Sequence, residues 1–489
     1  MASIEELRAE RLKKLTALQD SGKSGFPAIS RRTHELSDVI RNFASLAEDS
    51  VQVIVAGRVM SSRGQGALIF IDLYDGSAKL QAVIKLPESG EEAHEFYTKY
   101  VDTGDFIEVT GTLFTTKSGQ ESVLVSNISM LSKALLPLPD KYHGLQDEEI
   151  RMRERYLDIL TNVELRELFE KKAKFWEVVR KFLKENKFLE VETPTIEVTT
   201  GGAEARPFKT YHNDFDLNVF MRISVGELWQ KRLMAAGFPR TFEIGRTYRN
   251  EGSSPDHLQE FTNCEFYMSY ADYEAGMTLV QELYRTIAKE VFGTTTFTTR
   301  GHTFDLSEPW GQIDYREEIL KQTGIDINKA DDQEIKDKLA SLKVKYDGNN
   351  RERLTDTLWK YCRKNIAGPA FLINHPLLVA PLSKENTDAT GKGNGTAQIF
   401  QPILAGSELG RGYSELNDPI DQRKRFEKQQ ELLAGGDEEA MMADWEFVEM
   451  LEHGMPPTCG YGFGERLFAF FMDKPIREVT MFPLVKPKP

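Results

Sequence analysis

The chain has 489 residues, 40% of them hydrophobic and 28% charged, which is an ordinary globular composition with room for roughly two to four domains. No apolar run reaches the ~18 residues of a membrane span, the opening MASIEELRAERLKK is charged throughout, and Cys264, Cys362 and Cys459 are widely spaced. These features exclude a spanning helix, a secretory leader, a disulfide framework and zinc-ligand spacing, and they predict a cytoplasmic protein. A net charge of −14 counts against a nucleic-acid binder on totals alone, but local charge decides that question.

In chain order, residues 4–22 predict an amphipathic helix ending at Gly22, acidic early and basic in the middle. It reads as a solvated face; the alternative is a contact to nucleic acid through Arg11, Lys13 and Lys14. Residues 51–134 change to about five short strands, separated by turn signals such as Asp75-Gly76 and Lys117-Ser118-Gly119. That pattern predicts a small barrel of the OB type, which binds oligonucleotides on one face. Arg63, Phe70 and Gln81 look exposed on it. They offer a cation, a stacking ring and a two-way amide, a set that reads unpaired bases. Residues 135–160 are a linker stiffened by Pro137 and Pro139, followed by a helix.

A long helix to about Asn186 precedes FLEVETPTIEVTTGGAEARPF, where Pro194 places a strand-like run at an edge or bulge. FMRISVGELWQKRL then runs from strand to helix with Glu227 at the changeover, a carboxylate suited to a ligand's ammonium. Residues 241–270 read as strand, loop, strand: Phe242, Ile244, Arg246 and Tyr248 alternate with Glu243, Gly245, Thr247 and Arg249, and NEGSSPDH breaks the run. In the return strand Phe261, Asn263, Glu265 and Tyr267 share one face, and Thr262, Cys264, Phe266 and Met268 the other. The second face suits a core; the first, with a ring, an amide, a carboxylate and a phenol, suits chemistry. Residues 300–395 hold a polar insertion at about 325–352 and a glycine-rich loop, TDATGKGNGTA, without the residue order of a P-loop. In QPILAGSELGRGYSELNDP, Glu408 precedes a Gly-x-Gly step, and Arg411, Tyr413 and Glu415 share a face at period two. In TCGYGFGERLFAFF, glycines 460, 462 and 464 form a bare floor for a planar base, and Glu465 and Arg466 open an apolar helix.

The Arg249-Asn250-Glu251 triplet, the loop with His257 and the strand opening at Phe261 resemble motif 2 of the class II aminoacyl-tRNA synthetases. The Pro194 segment resembles motif 1, at the dimer interface, and Gly464-Glu465-Arg466 resembles motif 3. AGRVMSSRGQG, FIDLYDGS and Gln81 resemble the anticodon-binding domain of the lysyl-tRNA synthetase family, and the likeness runs along nearly the whole chain. It implies an α+β fold with an N-terminal helical extension at 1–48, a five-stranded OB-fold barrel at 49–136 and a hinge at 137–160. A class II catalytic domain, an antiparallel sheet flanked by helices, would fill 161–489. The resemblance also implies a homodimer that activates lysine with ATP and Mg2+ and charges tRNA(Lys). In that scheme Arg249 and Arg466 are catalytic and, with Glu251, His257 and Phe261, hold ATP. Glu227, Glu265, Tyr267, Arg411, Tyr413 and Glu415 take the amino acid, and Phe70, Arg63 and Gln81 the anticodon. Glu408 and Gln401 are the metal candidates.

Charge chooses the expected substrate. Glu265 and Glu415, beside Tyr267 and Tyr413, call for a cation, since buried carboxylates without a partner are costly and aromatic rings favour an ammonium. The aspartyl relatives place an arginine where this chain has Glu415. The chain departs from the lysyl family in carrying Arg411 for Asn and Gln401 for Glu, and in a third motif one residue shorter before Glu465-Arg466. Gln401 removes one metal ligand, while Arg411 either neutralises a phosphate or carboxylate or pairs with Glu415. A ligase for aspartate or asparagine, and a synthetase-like binding protein, stay open as alternatives.

Overall fold

Period-two burial closes the N-terminal unit, Met1–Asn162, into a barrel. The structure is a computed structural model that describes residues 3–64, 66–139, 145–203, 205–252, 254–346, 350–377, 380–435 and 440–487. Part of the linker (140–144), Glu204, Ser253 and residues 347–349 of the polar insertion lie outside the described residues. Strands β1 (Val53–Arg63), β2 (Leu68–Tyr74), β3 (Lys79–Lys85), β4 (Phe106–Thr115) and β5 (Glu121–Ser132) close in the order β1-β2-β3-β5-β4. Only the β3–β5 pair is parallel. Val53, Val55 and Val59 of β1 and Ile69, Ile71 and Leu73 of β2 point inward at alternate positions and fill the interior, the arrangement a small barrel requires. A helix at Leu86–Tyr100, broken at Gly90, joins β3 to β4 and buries Ala93, Phe96 and Tyr97.

The N-terminal helix, Ile4–Asp20, is capped by a reciprocal Ser3–Glu6 box. Its Arg11 does not face solvent: the guanidinium donates to the carbonyls of Thr103, Ala134 and Leu136 at 2.9–3.0 Å. Lys14 pairs with Asp102 at 2.6 Å. Lys13 pairs with Glu10 at 2.6 Å on the surface, so all three basic residues considered for nucleic acid have partners within this unit.

The second unit, Val163–Pro489, is organised by a nine-stranded sheet. Its order is Gly311–Asp314, Ala370–Ile373, Ile399–Leu404, Arg411–Ser414, Thr458–Gly464, Glu260–Ser269, Arg240–Tyr248 and Leu189–Glu190, with Ser407–Glu408 pairing off the path. The centre is antiparallel, as expected, and one parallel pair closes each edge. Pro194 follows the edge strand Leu189–Glu190, where its missing N–H leaves no ladder bond unmade. Helices Val163–Glu185 and Tyr273–Ile287 bury apolar stripes that include Phe175, Val179, Val280 and Tyr284. The polar insertion packs onto the sheet: Ile335 and Leu339 share one cluster with Leu354, Leu358 and Trp359 and with Leu372 and Ile403 of the sheet strands. The glycine-rich run at 387–397 belongs to a two-stranded hairpin, Glu385–Thr387 with Gly393–Ala397.

Candidate active site

The centre of the sheet carries a groove whose floor is the glycine strand Thr458–Gly464. On one side Tyr267, Glu265 and Asn263 stand opposite Gly460, Gly462 and Gly464. On the other, Tyr413 and Arg411 stand opposite Gly460 and Gly462. Glycine is required where these walls lean inward: a Cβ at 460 would press into Glu415 Oε1 and the Tyr267 ring, and one at 462 would lie 3.0 Å from Glu265 Cγ. The cavity above has a volume of about 440 Å³. All the residues expected at the catalytic, ATP, amino-acid and metal positions line it. The opposite face of the return strand, Cys264, Phe266 and Met268, is buried.

At one end of the groove arginines stand among the carboxylates Glu251, Asp256 and Glu408. Arg249, at the end of the strand Arg240–Tyr248, is aimed by its Nε and Nη2, which donate to the Ile223 carbonyl at 3.3 Å. Its guanidinium lies 5.3 Å from the Phe261 ring centre. Arg466 lies 3.9 Å from Asp256, which Arg300 holds at 2.7 Å. Burial, with Arg466 next, lowers His257, whose Nδ1 is 2.7 Å from the Ser254 hydroxyl. The backbone N–H of Glu251 donates to the Arg249 carbonyl at 2.9 Å, folding the chain tightly after the arginine.

The other end is acidic. Glu265 Oε1 accepts from the Val225 N–H at 2.8 Å and Asn263 Nδ2 at 3.1 Å, and Oε2 accepts from the Tyr267 hydroxyl at 3.1 Å. Burial, with Glu227 adding repulsion, raises Glu265 to about 7. Glu227 opens the helix Glu227–Ala235 and accepts from Lys231 Nζ at 2.6 Å and from the Tyr413 hydroxyl. Lys231 Nζ is also 2.5 Å from Glu415 Oε2. Burial raises Glu415 to about 8, with Lys231 pulling the other way. Burial alone would lower the Lys231 ammonium, but Glu227 and Glu415 outweigh it and hold it above its usual value.

The two metal candidates are otherwise engaged. Gln401 Oε1 is 2.6 Å from His375 Nε2. An amide oxygen only accepts, so that nitrogen carries the proton. Burial, with Arg411 beside it, holds His375 down to about 3, so it is neutral. Glu408 accepts from Trp359 Nε1 at 2.5 Å and pairs with Arg363 at 3.1 Å. No group of three or more His, Cys, Asp or Glu suited to a cation occurs among the described residues. A neutral, already bonded amide and a carboxylate already paired with an arginine do not fit a divalent ion held by the protein alone.

Of the barrel set, Arg63 and Phe70 face each other across β1 and β2, with the guanidinium 5.6 Å from the ring centre. Gln81 corrects the expectation of exposure. It is 5% exposed, and its Oε1 accepts from the Ser122 hydroxyl at 3.0 Å. Sequence reasoning also missed Lys231, Arg300 and His375. Lys231 had a signal, since it lies four residues after Glu227 on one helix face. Arg300 and His375 had none, because their partners are remote in sequence.

The groove and barrel match known proteins. The family described as tRNA synthetases class II (D, K and N) matches residues 147–486, and an OB-fold nucleic acid binding domain matches residues 53–131. The chain belongs to the class II tRNA synthetases. Its relatives narrow the group. Lysine–tRNA ligase of Roseiflexus sp. (strain RS-1) is 40% identical, covering 99% of each chain. The lysine–tRNA ligases of Thermotoga maritima and Moorella thermoacetica are each 39% identical over 99% of this chain and 97% and 98% of their own.

Proposed function

We propose that this chain is a lysine–tRNA ligase: it activates lysine with ATP and transfers the lysyl group to the 3′ end of tRNA(Lys). The observation that carries this is the division of charge along one groove, with Glu227, Glu265 and Glu415 at the Gly460 end and Arg249 and Arg466 at the other. An acidic side chain such as aspartate's would meet carboxylates there. A lysine ammonium meets them beside Tyr267 and Tyr413.

In the first step a lysine carboxylate oxygen forms a bond to the α-phosphorus. The bond from that phosphorus to the bridging oxygen breaks, and its electron pair leaves on pyrophosphate. Such a step needs alignment and charge neutralisation more than a base. Arg249, with its fork of donors, spans the lysine carboxylate and the α-phosphate. Arg466 neutralises the distal phosphates, with Arg300 adjoining through Asp256; His257 donates a hydrogen bond to them, and Phe261 and Glu251 take the adenine. Magnesium is assigned to the nucleotide, where it neutralises phosphate charge, rather than to a protein cage.

In the barrel, Phe70 stacks on an anticodon base, with Arg63 beside it. Ile196, Val198 and Phe215, on or beside a separate three-stranded sheet of Ile196–Glu197, Leu217–Met221 and Lys209–His212, are exposed, and such apolar surface suits the second copy of a homodimer. The assignment places the protein in the cytoplasm. Amino-acid-dependent ATP–pyrophosphate exchange across the twenty amino acids tests the reading. Exchange with lysine alone is the expected result; exchange with aspartate or asparagine, or with none, overturns it.

A further inference from the structure

The helix Glu227–Ala235 carries a residue for which the activation scheme above has no part. Lys231 Nζ is buried and lies 2.6 Å from Glu227 Oε1 and 2.5 Å from Glu415 Oε2. Aromatic rings bound it, Tyr413 at 5.4 Å and Phe447 at 5.9 Å. It therefore stands between the two carboxylates and takes one oxygen of each. The remaining oxygens lie against glycines: Glu227 Oε2 would be 2.7 Å from a Cβ at Gly202, and Glu415 Oε1 would be overlapped by one at Gly460. Neither Glu415 oxygen, both buried, makes a hydrogen bond among the described residues; Oε2 is met by the charge of Lys231 alone. Both glycines line the cavity, so no side chain from either position stands between the remaining oxygens and it.

Charge balance points the same way. Ionised, Glu227, Glu265 and Glu415 with Lys231 leave two negative charges at this end of the groove. Free lysine has two ammonium groups, and its carboxylate is matched by Arg249. Without Lys231 a third carboxylate would be left buried and unmatched, which such sites do not tolerate.

Resting on the lysine-ligase reading, we propose that Lys231 is a positioning residue for amino-acid specificity: its ammonium bridges Glu227 and Glu415 from behind and turns their free oxygens toward the two ammonium groups of the substrate. The other charged and titratable groups facing this cluster are Glu265, Tyr267, Tyr413 and, beyond Tyr413, Arg411.

Lys231→Met keeps the reach of the side chain and removes its charge. In ATP–pyrophosphate exchange, its KM for lysine should rise about 30-fold or more, the scale of removing one partner of a buried charge pair. The KM for ATP should stay within about twofold. The pH dependence of the lysine KM should move alkaline, because Glu415 loses the cation that opposes the upward pull of its burial. If the methionine variant fails to fold, Lys231→Ala is assayed with added propylammonium, which should restore lysine exchange where propanol does not. A lysine KM within twofold of wild type, equal rises in both KM values, absence of amine rescue in a folded alanine variant, or failure of both variants to fold would each overturn the role. Wild-type protein that does not exchange with lysine refutes the functional reading instead, a separate result.

Discussion

Lysine binding should release protons and tighten as pH rises from 7 to 8.5. Burial raises Glu415 to about 8 and Glu265 to about 7 in the free pocket. Near neutrality both therefore hold part of a proton that a bound ammonium expels, because a cation favours the ionised carboxylate. If only the ionised form binds, the apparent dissociation constant carries a factor of 1 + 10^(pKa − pH) for each group. For Glu415 that factor falls from about 11 at pH 7 to about 1.3 at pH 8.5, about an eightfold gain, and Glu265 adds about twofold. Isothermal titration of lysine into the protein at pH 7, in two buffers of different ionisation enthalpy, should report release of about one to one and a half protons per lysine. The lysine KM in exchange should fall in parallel over the same pH range. Glu415→Gln should weaken lysine binding and leave only the shallow dependence due to Glu265. A lysine KM that is flat from pH 7 to 8.5, together with heats independent of buffer, would refute the argument that these carboxylates are held back by burial.

Four further outcomes follow from the same geometry. Gly460→Ala places a methyl group against Glu415 Oε1 and Tyr267, so the lysine KM should rise about a hundredfold with the ATP KM little changed, as exchange kinetics will report. Arg466→Ala should lower the exchange rate by about 10²–10³, with a thermal midpoint near wild type as the control. Phe70→Ala should raise the KM for tRNA about tenfold in aminoacylation and leave exchange untouched, since stacking contributes about 1–3 kcal/mol per base. Electron paramagnetic resonance of Mn2+ with nucleotide-free protein should show only the free aquo ion; the double variant Gln401→Glu, Arg411→Asn, which adds a carboxylate and removes a cation, should acquire binding.

The fold was legible where a single periodicity governs a segment. Alternation along β1 and β2 announced the barrel. The chemical face of the strand Glu260–Ser269 announced the groove, because its other face is plainly apolar. The helix Leu86–Tyr100 was missed although Ala93, Phe96 and Tyr97 recur at helical spacing, since the turn signals around it were taken to separate strands. Gln81 was misjudged for a different reason. On β3 every residue from Leu80 to Ile84 is buried, so alternation no longer marks an outer face, and the strand lies between β2 and β5 with both neighbours in place.

What a sequence hides most thoroughly is the net charge of a pocket. Counting Glu265 on the return strand and Glu415 just after the strand Arg411–Ser414 leads to the expectation of a cation-binding site, but it omits the cation the protein supplies itself. Lys231 and Glu227 are one helical turn apart and could be paired by eye. Glu415 joins them only because the strand Arg411–Ser414 and the residue after it are laid beside Thr458–Gly464 and, through it, beside Glu260–Ser269. The same folding step brings Gln401, Arg411 and His375 into one neighbourhood. The acidic end thereby gains a cation, and the site suggested for a metal loses a free acceptor. Substitutions that look like isolated departures along the chain are therefore best judged as changes in the charge of a groove, and Arg411, opposite Gly462, stands between the two ends proposed to take phosphate and ammonium.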